Sequence, residues 1–212
     1  PENASDKTLE VSFQTPFRDF SGTLNEIYFG TPSAVHTHLM STYGPKLIIG
    51  LIWFIISLLI VAFNFIFFNK KDRYYSYIAL FGVFMSLWLM NESRILQLYI
   101  NNDFIIGSLS YISIAAAPIA MLMFFESKIL KNDQKLLRFI SYVFILNLFL
   151  IIFLHMIGAY AFFESALITN LLNIVTIVII LYRILHYYLS KKDYHYLLYF
   201  IIFGIFSIFL PL

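Results

Sequence analysis

Long apolar stretches separated by short polar loops fill this sequence from about residue 47 onward. The chain is 60% hydrophobic and 12% charged, whereas a soluble domain carries about 25% charged residues. Each apolar stretch has close to the roughly 20 residues that an α-helix needs to cross a bilayer. The sequence therefore predicts an all-α polytopic membrane helix bundle that has the lipid bilayer as a partner. We place the spans at residues 47–68, 74–99, 104–125, 136–157, 164–187 and 194–212.

A different pattern precedes the spans, in residues 1–44. Residues 8–14 alternate apolar and polar side chains, which is typical of a half-buried β-strand, and residues 23–29 alternate again with one break. Turn-forming Pro, Asp, Ser and Gly residues lie between them. Because two strands are not stable alone in water, we interpret this region as the C-terminal strands of a β-rich extracellular domain. The helix bundle then occupies residues 45–212.

Basic residues near the span ends predict the orientation of the bundle. Ten of the fourteen Lys and Arg residues fall in the first, third and fifth loops, and the second and fourth loops hold none. Since positively charged loops stay in the cytoplasm, we expect the N-terminal part to be extracellular. Six spans return the chain to the outside, so we expect a seventh span in the full protein. The ten residues are Lys70, Lys71, Arg73, Lys128, Lys131, Lys135, Arg138, Arg183, Lys191 and Lys192.

The second span contains a cluster of polar residues in its outer half: Asn91, Glu92, Arg94 and Gln97. Ionisable residues within a span are costly and mark functional sites by default. Helical spacing places Asn91, Arg94 and Gln97 on one face, whereas Glu92 lies about 160° from Arg94 and needs another partner. The cluster predicts an outward-facing pocket that binds a ligand or senses protons. The alternative is a structural clamp between helices, with Arg94 at the lipid headgroups.

Two other spans supply further candidates. Asn170 and Asn173 in the fifth span belong to a polar stripe with Thr169 and Thr176, which either lines the same pocket or hydrogen-bonds to a neighbouring helix. Pro118 in the third span removes a backbone hydrogen bond, and it is our hinge candidate. That span also carries a stripe of small residues that permits close helix packing. The stripe consists of Ser110, Ser113, Ala117 and Ala120.

The sequence contains no recognisable catalytic set. It has no cysteine, no HExxH motif and no glycine-rich phosphate loop. His36 and His38 form an isolated pair that lacks a third metal ligand. We therefore expect no catalytic residue, metal site or cofactor in this chain, no enzymatic activity of its own and no nucleic-acid partner.

Three segments carry a resemblance to a known family: FSG at Phe20–Gly22, LNEIYFG at Leu24–Gly30 and WLMNESRILQL at Trp88–Leu98. With the run of spans, they resemble the bacterial seven-transmembrane receptors with diverse intracellular signalling modules. The resemblance implies a multi-pass protein of the bacterial plasma membrane that relays an unidentified extracellular ligand signal to a cytoplasmic output domain, acting as a homodimer. In the branch that the third segment resembles, the output is often a GGDEF-type diguanylate cyclase.

The sequence departs from this pattern in two respects. It stops before a seventh span and has no GGDEF motif, so cyclase activity cannot be assigned to this chain. The alternative function is a small-solute transporter or channel. Transporters typically show inverted repeats with paired broken helices, and only one Pro-interrupted span is visible here.

Overall fold

The computed structural model describes residues 29–67, 74–100, 102–157 and 166–209, and these residues are predominantly helical with no β-strand among them. The long apolar stretches satisfy their backbone hydrogen bonds within each helix, as a bilayer requires. The helices are α1 (Pro32–Phe67), α2 (Tyr74–Glu92), α3 (Leu96–Tyr99), α4 (Asp103–Phe124), a π-helical segment (Phe125–Ile129), a 3-10 turn (Lys131–Asp133), α5 (Gln134–Met156), α6 (Ala166–Lys191) and α7 (Tyr194–Phe209).

The β-strands predicted at residues 8–14 and 23–29 lie outside the described residues, except for Phe29, which is not in a strand. The described chain begins instead with the N-terminal part of α1. This helix starts at Pro32, about fifteen residues before the predicted span at 47–68. The lead-in to the first span is therefore a continuous helix.

Four helical segments of the described chain are long and apolar enough to cross a membrane: Pro32–Phe67, Ile105–Ile129, Lys131–Met156 and Leu167–Lys191. They agree with the predicted first, third, fourth and fifth spans. The other two predicted spans coincide with shorter helices. Helix α2 has 19 residues and ends at Glu92, seven residues before the predicted end. Helix α7 has 16 residues.

Helices α1 and α2 pack antiparallel through small residues. Gly50 faces Met90, and a Cβ atom at Gly50 would lie 2.7 Å from Met90 Cγ and 3.1 Å from its backbone nitrogen. Further along, Ser57 occupies the space where Gly82 would carry a Cβ atom. Small residues let two helix backbones approach closely in a membrane, where dispersion contacts drive helix association.

Helix α4 packs against α2 on one side and α5 on the other. The small-residue stripe predicted on this span supplies the contact surface, because Ser113, Ala117 and Ala120 are all buried. Ala117 and Ala120 pack with Phe81 of α2. Ser110 is only half-buried.

A second core lies at the C-terminal end of α4. It joins five elements: α4, the π-helical segment, α5, α6 and α7. Phe125 contributes to it, and its ring meets that of Phe203 edge-on at 4.8 Å between centroids. These residues hold the five elements against one another. Other buried members are Leu122, Ile129, Leu130, Leu137, Ile140, Phe144, Ile180 and Ile184.

Candidate functional site

The polar cluster of the second span does not lie on one helical face, because α2 ends within it. After Glu92 the chain turns, and Arg94 adopts a positive φ of 57°, a conformation that L side chains rarely adopt. The amide of Arg94 donates to the Asn91 carbonyl at 3.1 Å, and the amide of Gln97 donates to the Arg94 carbonyl at 3.2 Å. The shared face that we predicted for Asn91, Arg94 and Gln97 is therefore wrong.

Asn91 points into the bundle and joins two helices. It is 8% exposed, and its Nδ2 donates to the Ile106 carbonyl of α4 at 3.0 Å. Its Oδ1 is buried without a hydrogen-bond partner in the described chain. This geometry favours the clamp interpretation for Asn91.

Arg94 and Gln97 line a groove of about 210 Å³ next to the N-terminal half of α1. The Arg94 guanidinium lies 5.8 Å from the centre of the Tyr43 ring, within the distance at which cations interact with aromatic faces. Glu92 is exposed and does not line the groove. We call this space the outer groove. Its lining residues are Leu39, Tyr43, Ser93, Arg94, Ile95, Gln97 and Leu98.

Asn170 and Asn173 lie elsewhere, in a separate cavity of about 70 Å³ between α2, α4, α6 and α7. Pro118, near the middle of α4, lines the same cavity. Because proline has no amide hydrogen, the Ile114 carbonyl in the cavity wall lacks its usual helical donor. We call this space the core cavity. Its other lining residues are Phe81, Met85, Trp88, Ala117, Met121, Leu122, Thr176, Ile177, Ile180 and Phe203.

The candidate residues of the second span and those of the third and fifth spans thus lie at two separate sites. Arg94 and Gln97 belong to the outer groove, whereas Asn170, Asn173 and Pro118 belong to the core cavity. Glu92 lines neither. Helix α4 continues through Pro118 without interruption, and the hinge stays a prediction.

Thr169 supports the interpretation that the polar stripe of the fifth span hydrogen-bonds to a neighbouring helix. It is buried, and its Oγ1 accepts a hydrogen bond from Asn147 Nδ2 of α5 at 3.0 Å. Asn147 of α5 is therefore the donor of an interhelical hydrogen bond. Such bonds hold membrane helices together at modest energy.

Two ion pairs lie around the π-helical segment and the start of α5, and they were not evident from the sequence. Arg183 of α6 contacts Asp133, which precedes α5, at 2.7 Å, and the Asp133 side chain is only 9% exposed. Glu126 in the π-helical segment pairs with Arg138 of α5. The two partners of each pair are 50 and 12 residues apart in the chain, so no local spacing rule could have matched them. The ammonium group of Lys128 lies 4.3 Å from the Tyr74 ring centre.

Among the described residues, no group of three His, Cys, Asp or Glu side chains could hold a metal ion. His36 and His38 are exposed on the first turns of α1. Comparison of the sequence and structure with protein-family models, curated proteins and solved structures gave no match.

Proposed function

We propose that this chain is the membrane-embedded sensory module of a bacterial signalling protein. In this proposal the N-terminal part faces outward, the helix bundle relays a signal, and a cytoplasmic output domain of the diguanylate cyclase type reads it in a homodimer. The resemblance of Leu24–Gly30 and Trp88–Leu98 to seven-transmembrane receptors supports this assignment. The ten basic residues in alternate loops support the orientation.

The packing of the two shorter helices supports the proposed six spans in this part of the protein. Helix α2 lies antiparallel to α1, with Met90 beside Gly50 and Gly82 beside Ser57. Those contacts place α2 along the same apolar section of α1 that is long enough to cross a bilayer. Helix α7 packs on α6 in the second core. We infer that both shorter helices traverse the membrane with their neighbours.

The observation that carries the proposal is the core cavity. It is lined by side chains of α2, α4, α6 and α7. Asn170 and Asn173 line the same cavity as Pro118 of α4. From there α4 continues into the π-helical segment, where Glu126 contacts Arg138. A receptor needs two arrangements with different ligand affinity. A mostly apolar, incompletely filled space beside a proline, with two asparagines in its wall, gives α4 room for a second arrangement.

Cyclic di-GMP production by the full-length protein tests this proposal. Asn173→Leu fills the core cavity and removes an amide, and we expect output to change by about fivefold or more, the lower end of typical coupling between sites. Asn64→Leu is the matched control, since Asn64 is buried on α1 and its Nδ2 bonds only within that helix. Normal output from Asn173→Leu, at equal membrane levels, would contradict the relay.

A transporter is the second candidate, and the core cavity also favours it, because transporters bind their substrates in sites enclosed by several spans. The coding sequence after Leu212 separates the two functions. One further span followed by a cytoplasmic catalytic domain supports the receptor. A second block of spans supports transport.

A further inference from the structure

We propose that the outer groove binds an organic anion that has an apolar body, with the anionic group on Arg94. The inference rests on the proposed function only for placing this end of the bundle outside the cell. Two sources can supply such a ligand: a soluble carboxylate, or an anionic phospholipid of the outer leaflet. Both present the same chemistry to the groove.

The charge of the groove determines the sign of the ligand. Arg94 is the only charged residue among those that line it. Its guanidinium presents several donors in a planar fork, which matches a carboxylate or phosphate. Gln97 adds a neutral amide on the same wall. Glu92 is two residues from Arg94 but lies outside the lining, so none of the described residues that line the groove brings a carboxylate to compete for the guanidinium.

The remaining lining determines the shape of the ligand. Leu39 of α1 and Leu98 of α3 contribute apolar surface, and Tyr43 contributes a ring that also contacts the guanidinium. A site with several apolar walls and a few convergent polar groups is typical of small-molecule binding. The volume of about 210 Å³ is below the roughly 300 Å³ at which drug-sized pockets begin, so the bound part of the ligand is small.

The backbone at Arg94 is held in the geometry that forms the groove. The positive φ ends α2 and directs the chain into α3, and α3 supplies Gln97 and Leu98. Non-glycine residues in this conformation concentrate at ligand sites, where the surrounding structure maintains the strain. Nothing in the packing of α2 requires arginine here, because its side chain is exposed.

The groove also lies beyond the apolar section of α1. Leu39 and Tyr43 precede Pro45 and Lys46, both exposed, and the run of exposed apolar residues on α1 begins only at Ile48. The site is therefore at the boundary between water and lipid, within reach of either source.

Saturation-transfer NMR on the full-length protein in nanodiscs of neutral lipid tests the proposal. Phenylacetate and octanoate are the probes, and phenylacetamide and octanamide are their uncharged counterparts. We expect both carboxylates to bind and the amides to bind about tenfold more weakly, the factor for one charge-assisted hydrogen bond. Arg94→Gln should abolish this preference, and Glu92→Gln, which changes a charge outside the groove, should preserve it.

A second arm identifies the source of the anion. Nanodiscs containing phosphatidylglycerol should leave carboxylate binding intact if the natural ligand is soluble. If the lipid occupies the groove, it should displace the carboxylates from the wild-type protein, and native mass spectrometry should show Arg94-dependent lipid retention. Either result supports an anion site.

The proposal is overturned if acids and amides bind alike, if Arg94→Gln leaves the preference unchanged, or if neither carboxylate nor phosphatidylglycerol binds. Arg94→Gly provides a folding control, because glycine accepts the positive φ while removing the guanidinium. Binding is measured without cyclic di-GMP output, so an intact anion site in a protein with no signalling activity would refute only the proposed function.

Discussion

The two halves of the bundle are held together by different physical means. Helices α1 and α2 meet through glycine and serine, with backbones so close that a methyl group at Gly50 would collide with Met90. Helices α5 and α6 meet through an interhelical hydrogen bond and an ion pair, and the core cavity adjoins α6. Close backbone contact leaves few alternative arrangements, whereas polar side-chain pairs can exchange partners. In the receptor that we propose, the α1–α2 pair would act as a fixed frame, against which α4 and its neighbours α5 and α6 move.

The largest effect should come from breaking the ion pair between Arg183 and Asp133. Arg183→Met leaves the Asp133 carboxylate buried without its partner. We expect a loss of about 2–3 kcal/mol of stability, below the roughly 3–5 kcal/mol of a fully buried pair, because 33% of the Arg183 side chain is exposed. Unfolding by SDS in mixed micelles measures it. Arg138→Met is the control, because it breaks a pair whose arginine is mostly exposed, and it should change stability little. Equal losses in the two variants would show that burial of the carboxylate does not make the Arg183 pair the stronger one.

The next largest effect should come from the close contact between α1 and α2. Gly50→Ala places a methyl group against Met90 and the Ser86 carbonyl. Overpacking of this kind costs about 1–3 kcal/mol, which exceeds the gain of up to about 1 kcal/mol from replacing glycine by alanine in a helix. Gly204→Ala on α7 is the control, because its added methyl group meets no atom within 4 Å. If SDS unfolding shows both variants equally stable, the α1–α2 interface is not rigid.

A smaller effect should appear at the α5–α6 hydrogen bond. A double-mutant cycle of Asn147→Leu and Thr169→Val isolates its contribution. We expect a coupling of about 0.6 kcal/mol, the average for such bonds in a membrane protein. A coupling indistinguishable from zero would mean that this hydrogen bond does not hold the two helices together.

The smallest effect should come from Asn64→Leu. Asn64 is buried on α1, its Nδ2 donates to the Ile60 carbonyl of the same helix at 2.7 Å, and its Oδ1 has no partner in the described chain. Removing a polar group that bonds no other helix should change SDS-unfolding stability by less than about 0.5 kcal/mol, or raise it. A loss as large as that of Arg183→Met would show that the first half also depends on polar contacts.

The sequence was most informative about the long apolar helices, because hydropathy and length alone define a membrane segment. It also indicated the buried face of α4, since small residues at helical spacing have few other uses in a span. The sequence was misleading at Arg94. We predicted a continuous helix through this residue, but its backbone has a left-handed conformation. Neither glycine nor proline marks that break.

The candidate site was predicted only in part, for a related reason. Asn170, Asn173, Arg94 and Gln97 all line cavities, but the sequence left open whether the two asparagines share the pocket of the second span, because all four residues lie in the outer halves of their spans. Depth along a helix is readable from sequence, whereas the rotation of one helix against another depends on packing. The pairing of Asp133 with Arg183 was missed for the same reason.

The π-helical segment at the end of α4 has a consequence for how this protein tolerates insertions and deletions. The Leu130 amide donates to the Phe125 carbonyl at 2.8 Å, five residues back where an α-helix would span four, so this turn contains one additional residue. Deleting a residue between 125 and 129 would convert this turn into an ordinary α-helical turn, and the residues on either side would keep nearly the same orientation because the wider turn already accommodates the additional residue. We therefore expect a single-residue deletion to be tolerated better in this segment than earlier in α4, where it would rotate the following residues by about 100°.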